Sequence, residues 1–195
     1  MFSGGQKSGT CMHFEEYAQL VDCPAVSEIL ESIWGSPDFV CHSGGGDFCL
    51  PGSEYQPLHS DMGMRPGKTE FDADGLTNDI VPYDAAERPG FTYSAPDGFI
   101  DPSGKLDMRD LPCPSVNVNF LPRAFTSTNG ATRFIAGSQN SHGRIPTLKD
   151  EPLWMRTATA SPLPAGSAVF RDQRTWHGGT PNVSDEPRPM ASAML

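Results

Sequence analysis

The chain has no apolar run approaching the ~18 residues a membrane-spanning helix needs. Its first stretch, "MFSGGQKSGTCM", joins no charged head to a hydrophobic segment. A soluble protein working in the cytoplasm is therefore expected. Basic residues are scarce: 14 Lys and Arg against 24 Asp and Glu give a net charge of −10, with no basic block anywhere. That balance argues against nucleic acid or an anionic membrane as partner. The five cysteines (Cys11, Cys23, Cys41, Cys49, Cys113) form no C-x-x-C pair. The odd count and the spacing argue against a structural zinc site and predict free thiols. Two nucleotide- or ion-binding loops are also missing. "GGQKS" has no glycine before Lys7, so the G-K-[ST] core of a phosphate loop fails. "DADGLTND" places its glycine fourth instead of sixth and closes on no glutamate, so it is not a calcium loop.

What is abundant is punctuation, with 20 Gly and 19 Pro in 195 residues. Turns that dense allow only short elements and favour an all-β sandwich or barrel over a helical bundle. The length fits one domain, residues 1–195, able to bury roughly 70% of its unfolded surface. "HFEEYAQLVD" and "PAVSEILESIWG" carry apolar residues at helical spacing, and Gly35 stops the second, so two N-terminal helices are predicted. Strand texture follows in "DFVCH", "DFCL" and "YQPLHSD", with His42 in a glycine-rich turn. Residues 62–115 are rich in Pro, Gly and Asp without sustained period, which predicts an irregular, lid-like insertion. Strands resume with "SVNVNFL". Asn129-Gly130 then signals a hairpin with "TRFIAGS" as the returning strand, and "PAGSAVFRD" turns into another.

Side chains at i and i+2 of a strand share a face. His59 and Asp61 can therefore reach one ion together, although the triplet alone reads equally well as a polar turn. His13-Phe14-Glu15 has the same spacing but opens a helical pattern, where i and i+2 diverge by about 200°. His42 and His142 have no carboxylate at i+2, which leaves His177 at the end of "AVFRDQRTWH". Two imidazoles and one carboxylate on one side of an ion, with the remaining positions open, match the facial triad of non-haem Fe(II) oxygenases. Eleven residues after His177 stands Arg188, whose planar fork suits a bidentate grip on a carboxylate. The alternative for Arg188 is an exposed loop arginine.

Taken together, "HSD", "TNGATRFIAGSQNSHG" and "RTWHGGTPNVSDEPR" resemble the phytanoyl-CoA dioxygenase family of Fe(II)/2-oxoglutarate enzymes over roughly residues 27–195, apart from 62–115. The resemblance implies a double-stranded β-helix, or jelly roll, with the N-terminal helices packed on one sheet. It implies His59, Asp61 and His177 as catalytic iron ligands and Arg188 on the distal carboxylate of 2-oxoglutarate. It further implies cosubstrate contacts for Gln56, three before the first histidine, and for Asn119 on the strand before the N-G turn. Strict pleating sets Gln56 on the face opposite His59, so its role needs a bulge, for which Pro57 supplies a cause. Relatives often carry Ser or Thr two after the distal histidine. Here that position is Gly179, and the neighbouring Thr180 is the candidate substitute. The turn reads A-G-S-Q where P-G-S-H is commoner, and the chain stops seven residues past Arg188 where relatives continue, which implies a truncated domain.

The reaction implied is oxidative decarboxylation of 2-oxoglutarate to succinate and CO2, with O2 as co-reactant and hydroxylation or desaturation of a small organic substrate. Halogenating relatives lack the carboxylate that Asp61 provides. Two rival readings stand beside it. One is a cupin-like metal enzyme without 2-oxoglutarate, which has no need of Arg188, and the other is a catalytically silent β-barrel binding module.

Overall fold

The computed structural model describes residues 11–62, 111–141 and 143–195. The predicted lid at 62–115 falls almost wholly outside these residues, as do His142 and the first ten positions. In chain order the elements are α1 (Glu15–Val21), α2 (Pro24–Trp34), β1 (Ser43–Cys49), β2 (Val116–Phe120), β3 (Thr132–Phe134), α3 (Leu153–Thr157), β4 (Ala168–Asp172), β5 (His177–Gly179) and β6 (Arg188–Met194).

Both N-terminal helices form where the periodicity places them. Pro24 opens α2 at a position where its missing N–H costs nothing, and Gly35 closes it in the left-handed region at φ 69°. The strands form two antiparallel sheets, one ordered β1-β6-β2-β4 and the other β3-β5. β2 shows how the larger sheet divides its faces. Val116, Val118 and Phe120 pack with Val26 and Leu30 of α2 and with Ala193 and Leu195. Asn117 and Asn119, alternating with them, are buried on the opposite face. The larger sheet thus has an apolar side under the helix and a mixed side away from it, where Met190 and Val169 accompany the polar residues. In register, Arg171 stands opposite Asn117 and Ser192 opposite Asn119, so both share that mixed side.

The strand expectations hold in part. "DFVCH" is not a strand. The glycine run after it is, because Ser43–Cys49 pairs along its whole length with β6. Glycine is needed there for close approach: a Cβ on Gly46 would lie 2.5 Å from the Met190 carbonyl, and one on Gly44 2.8 Å from the Tyr17 ring. Asn129-Gly130 is a turn, but not a hairpin turn. Both edges of β2 are taken by β4 and β6, so the chain crosses to the other sheet and β3 pairs with β5 instead. "AVFRDQRTWH" likewise divides between sheets. β4 ends at Asp172, and His177 begins β5, followed by Gly178 and Gly179 within the strand. The described cysteines, Cys11, Cys23, Cys41, Cys49 and Cys113, are all free thiols. Among the described residues no helix is long and apolar enough to cross a membrane.

Candidate active site

His59 and His177 exchange both backbone hydrogen bonds, His59 N to His177 O at 3.0 Å and His177 N to His59 O at 2.9 Å. This bridge sets the first histidine directly beside the second, on the outer side of β5. The residue before each histidine points the other way: Leu58 and Trp176 pack together with Ile135 in one apolar cluster. Alternation thus anchors the strands on one face and presents the histidines on the other. Gly178 permits the approach, since a Cβ there would meet the Gln56 and Pro57 carbonyls at 2.9 and 3.1 Å.

The next pair along this ladder would be Pro57 with Gly179, but Pro57 has no N–H. Gln56 replaces it twice. Its backbone N–H donates to Gly179 O at 3.0 Å, and its side-chain Oε1 accepts from Gly179 N at 3.0 Å. Pro57 therefore produces the local bulge that period-two reasoning required. A buried ion pair secures the same segment. Arg133 and Glu151, both with fully buried side chains, are joined by two bonds of 2.6 and 3.0 Å, and Arg133 Nη2 also donates to Gln56 O at 2.6 Å.

His59, Asp61 and His177 converge, and among the described residues they are the one His/Cys/Asp/Glu group poised for an ion, with ligating atoms within 4.8 Å of one another. Asp61 Oδ1 lies 3.5 Å from His177 Nε2 and 3.7 Å from His59 Nε2. Ligands on one ion at bonds near 2.0–2.1 Å stand roughly 3.0–3.4 Å apart, so the two Asp61 separations need to shorten by only a few tenths of an ångström. Each Nδ1 meets a backbone carbonyl, Pro57 O at 3.1 Å for His59 and Thr175 O at 3.0 Å for His177. A carbonyl only accepts, so each Nδ1 carries the proton and each Nε2 offers its lone pair to the site.

Arg171 was not singled out by the sequence, yet its Nη2 donates to Asp61 Oδ2 at 2.5 Å. One carboxylate oxygen is held by the guanidinium while the other faces the histidines. Burial alone would raise the Asp61 carboxyl. His177, Arg171 and His59 outweigh it and hold the group below its ordinary value. Burial, reinforced by Arg171 and His59, pushes His177 down to about 3. At neutral pH His177 is thus a neutral imidazole and Asp61 a carboxylate, the forms that bind a metal.

Arg188 lies at the start of β6, only 3% exposed. Its Nη2 donates to Gly130 O at 2.7 Å and its guanidinium stacks 5.0 Å from the Phe125 ring centroid. Nε and Nη1 are buried without a hydrogen-bond partner. Burial lowers its pKa, with Cys49 and Asp47 partly opposing. Asn119 is buried on the mixed side of the larger sheet, its amide nitrogen donating to Asn117 Oδ1 at 3.3 Å and Ser192 Oγ at 3.2 Å. Thr180 commits its hydroxyl proton to Ala131 O at 2.7 Å. It is therefore engaged in holding the turn and has no O–H left to give a ligand.

Two histidines and one aspartate converging on one point are the donor set of a mononuclear metal oxygenase. Residues 107–190 match the family model described as Phytanoyl-CoA dioxygenase (PhyH), the family the motifs resemble. The matched stretch contains Asn119, His177 and Arg188, and the fold brings His59 and Asp61 to it from outside. Among solved structures, the chain is similar to EvdMO1 at 16% identity and TM-score 0.48, over 90% of this chain and 31% of that one. It is also similar to AviO1 from Streptomyces viridochromogenes Tue57 at 14% identity and TM-score 0.47, over 90% and 58%. The chain thus spans about a third to just over half the length of these proteins.

Proposed function

We propose that the chain is an Fe(II)- and 2-oxoglutarate-dependent dioxygenase on a double-stranded β-helix, acting on a small organic substrate. It would hydroxylate or desaturate that substrate and release succinate and CO2. Arg188 is the observation that carries this reading. A guanidinium that is 3% exposed, with Nε and Nη1 unmatched, is costly unless an anion completes it. A cupin-like enzyme without 2-oxoglutarate has no use for such a group, and a silent binding module has no use for the triad.

The residues fit the metal. His59 and His177 present Nε2 because their Nδ1 protons are held by Pro57 and Thr175 carbonyls. Asp61 presents one oxygen because Arg171 holds the other. Iron, when bound, supplies the activation of O2. Arg188 neutralises the far carboxylate of 2-oxoglutarate and fixes its direction toward the triad. Asn119 offers a polar wall between Arg188 and Arg171 on neighbouring strands. Gln56 and Thr180 act as positioning residues: Gln56 sets the His59 strand against β5, and Thr180 steadies the turn whose Gly130 carbonyl holds Arg188.

The test is a pair of titrations on each variant, metal alone and then 2-oxoglutarate with metal saturating. Leaving a buried carboxylate unpaired costs about 3–5 kcal/mol, so Arg188→Ala should weaken 2-oxoglutarate binding by roughly 10²–10³ while metal binding is nearly unchanged. Arg188→Lys should recover part of the loss, because the charge remains without the fork. His177→Ala should lose the metal first. An Arg188→Ala variant that binds 2-oxoglutarate like the parent would sink the cosubstrate assignment.

A further inference from the structure

Arg171 holds more donors than the triad uses. Its side chain is 4% exposed, and one nitrogen, Nη2, reaches Asp61 Oδ2. Nε and Nη1 are buried with no hydrogen-bond partner. Two residues on, Gln173 is 5% exposed, and its Nε2 is also buried and unmatched. Gln173 N donates to Ser115 O, which continues the β4 register one step past Asp172, so Gln173 and Arg171 share the face turned to the triad. The Gln173 carbonyl accepts the Asp61 N–H at 3.1 Å, tying this pair to the metal strand. Arg188 cannot account for these groups, since it stands on β6 with its own contacts to Gly130 and Phe125.

All three unmatched atoms are donors, so whatever completes them must accept. Charge narrows the class. With a divalent metal on the triad, the single charge of Asp61 faces the two charges of the ion and the one of Arg171. A cosubstrate carboxylate at the metal offsets one of the excess charges, and the surroundings of Arg171 stay positive. A neutral acceptor would satisfy geometry but leave that charge buried.

We propose that Arg171 and Gln173 form a substrate subsite for a carboxylate, so that the oxygenase acts on an organic acid seated by its carboxylate beside the iron. The proposal rests on the oxygenase reading. It also predicts that Arg171 has two duties, steadying Asp61 and selecting the substrate's charge.

The experiment is anaerobic calorimetric titration of the Fe(II)- and 2-oxoglutarate-loaded protein with acetate, hexanoate and benzoate, each against its amide. A charged hydrogen bond is worth about 1.5–3 kcal/mol, so at least one acid should bind about tenfold or more tighter than its amide. Arg171→Gln should erase that preference and Arg171→Lys should keep part of it, each read on protein shown to hold its Fe(II). Gln173→Leu, which leaves the Asp61–Arg171 bond in place, should weaken the acid several-fold without loss of metal, and so guards against a variant that simply loses its iron. Equal binding of acids and amides by the parent would overturn the subsite, and so would an Arg171→Gln variant that holds its Fe(II) and keeps the full preference for the acid. Failure of the parent to bind 2-oxoglutarate at all would instead overturn the oxygenase reading. Repeating the acid titration on protein with Fe(II) alone separates the two, because the subsite predicts that the acid-over-amide preference persists there.

Discussion

His177 couples the site to acid in a direction that can be worked out. Its folded-state pKa of about 3 lies below the ordinary 6.5, because burial, Arg171 and His59 disfavour the imidazolium. Between those values the unfolded chain binds a proton that the folded chain refuses, so stability falls as pH drops from about 6.5 toward 3. Asp61, held below its ordinary 3.8, adds stability that is present above that value and lost as pH falls further. Urea midpoints of the metal-free protein should therefore decline from pH 7.5 to pH 4.5, and decline less in His177→Gln. A parent whose midpoint is flat over that range would contradict the burial argument. At this scale the triad was legible because H-x-D on a strand is a pattern of spacing. Arg171, Arg133 and Glu151 were not, because a buried arginine in mid-strand looks like any surface arginine until its partner arrives from 110 or 18 residues away. The one available signal was a charged residue within "AVFRD" and "TRFI", where alternation would put it inside.

Between elements, the turn after β2 carries more than a change of direction. Gly130 adopts φ +77°, a Cβ there would lie 2.2 Å from Cys49 Sγ, and its carbonyl holds Arg188. Gly130→Ala should cost about 1–3 kcal/mol from the left-handed backbone alone, with more from displacing Cys49. Because the carbonyl moves, 2-oxoglutarate affinity should fall about tenfold or more, the loss expected when a buried guanidinium contact worth about 1.5–3 kcal/mol is disturbed, while metal affinity holds. Chemical denaturation and the two titrations check both halves; unchanged cosubstrate affinity would detach the turn from the site. The sequence announced this turn through Asn-Gly but misassigned its partner strand. Turn chemistry reports local backbone and says nothing about which sheet edges are already occupied. The same limit explains β1: a glycine run has no side-chain alternation to read, and its strand exists because β6 and Tyr17 must approach closely.

Across the whole molecule, mostly antiparallel sheet with few helices follows from Gly and Pro density and from two stretches of helical periodicity, the second closed by Gly35. What composition could not supply is the crossing of sheets between β4 and β5, which sets His177 against His59 and Arg171 against Asp61 in one stroke. That long-range convergence gathers four scattered residues, His59, Asp61, His177 and Arg171, into one candidate site. The measurement that tests it most directly is anaerobic titration of the protein with Fe(II) and then 2-oxoglutarate, followed in the visible range. The account predicts a weak charge-transfer band that appears only with both present, saturates at one equivalent, vanishes in His177→Ala and requires much more 2-oxoglutarate in Arg188→Ala. No band in the parent, with Fe(II) shown to be bound, would contradict it.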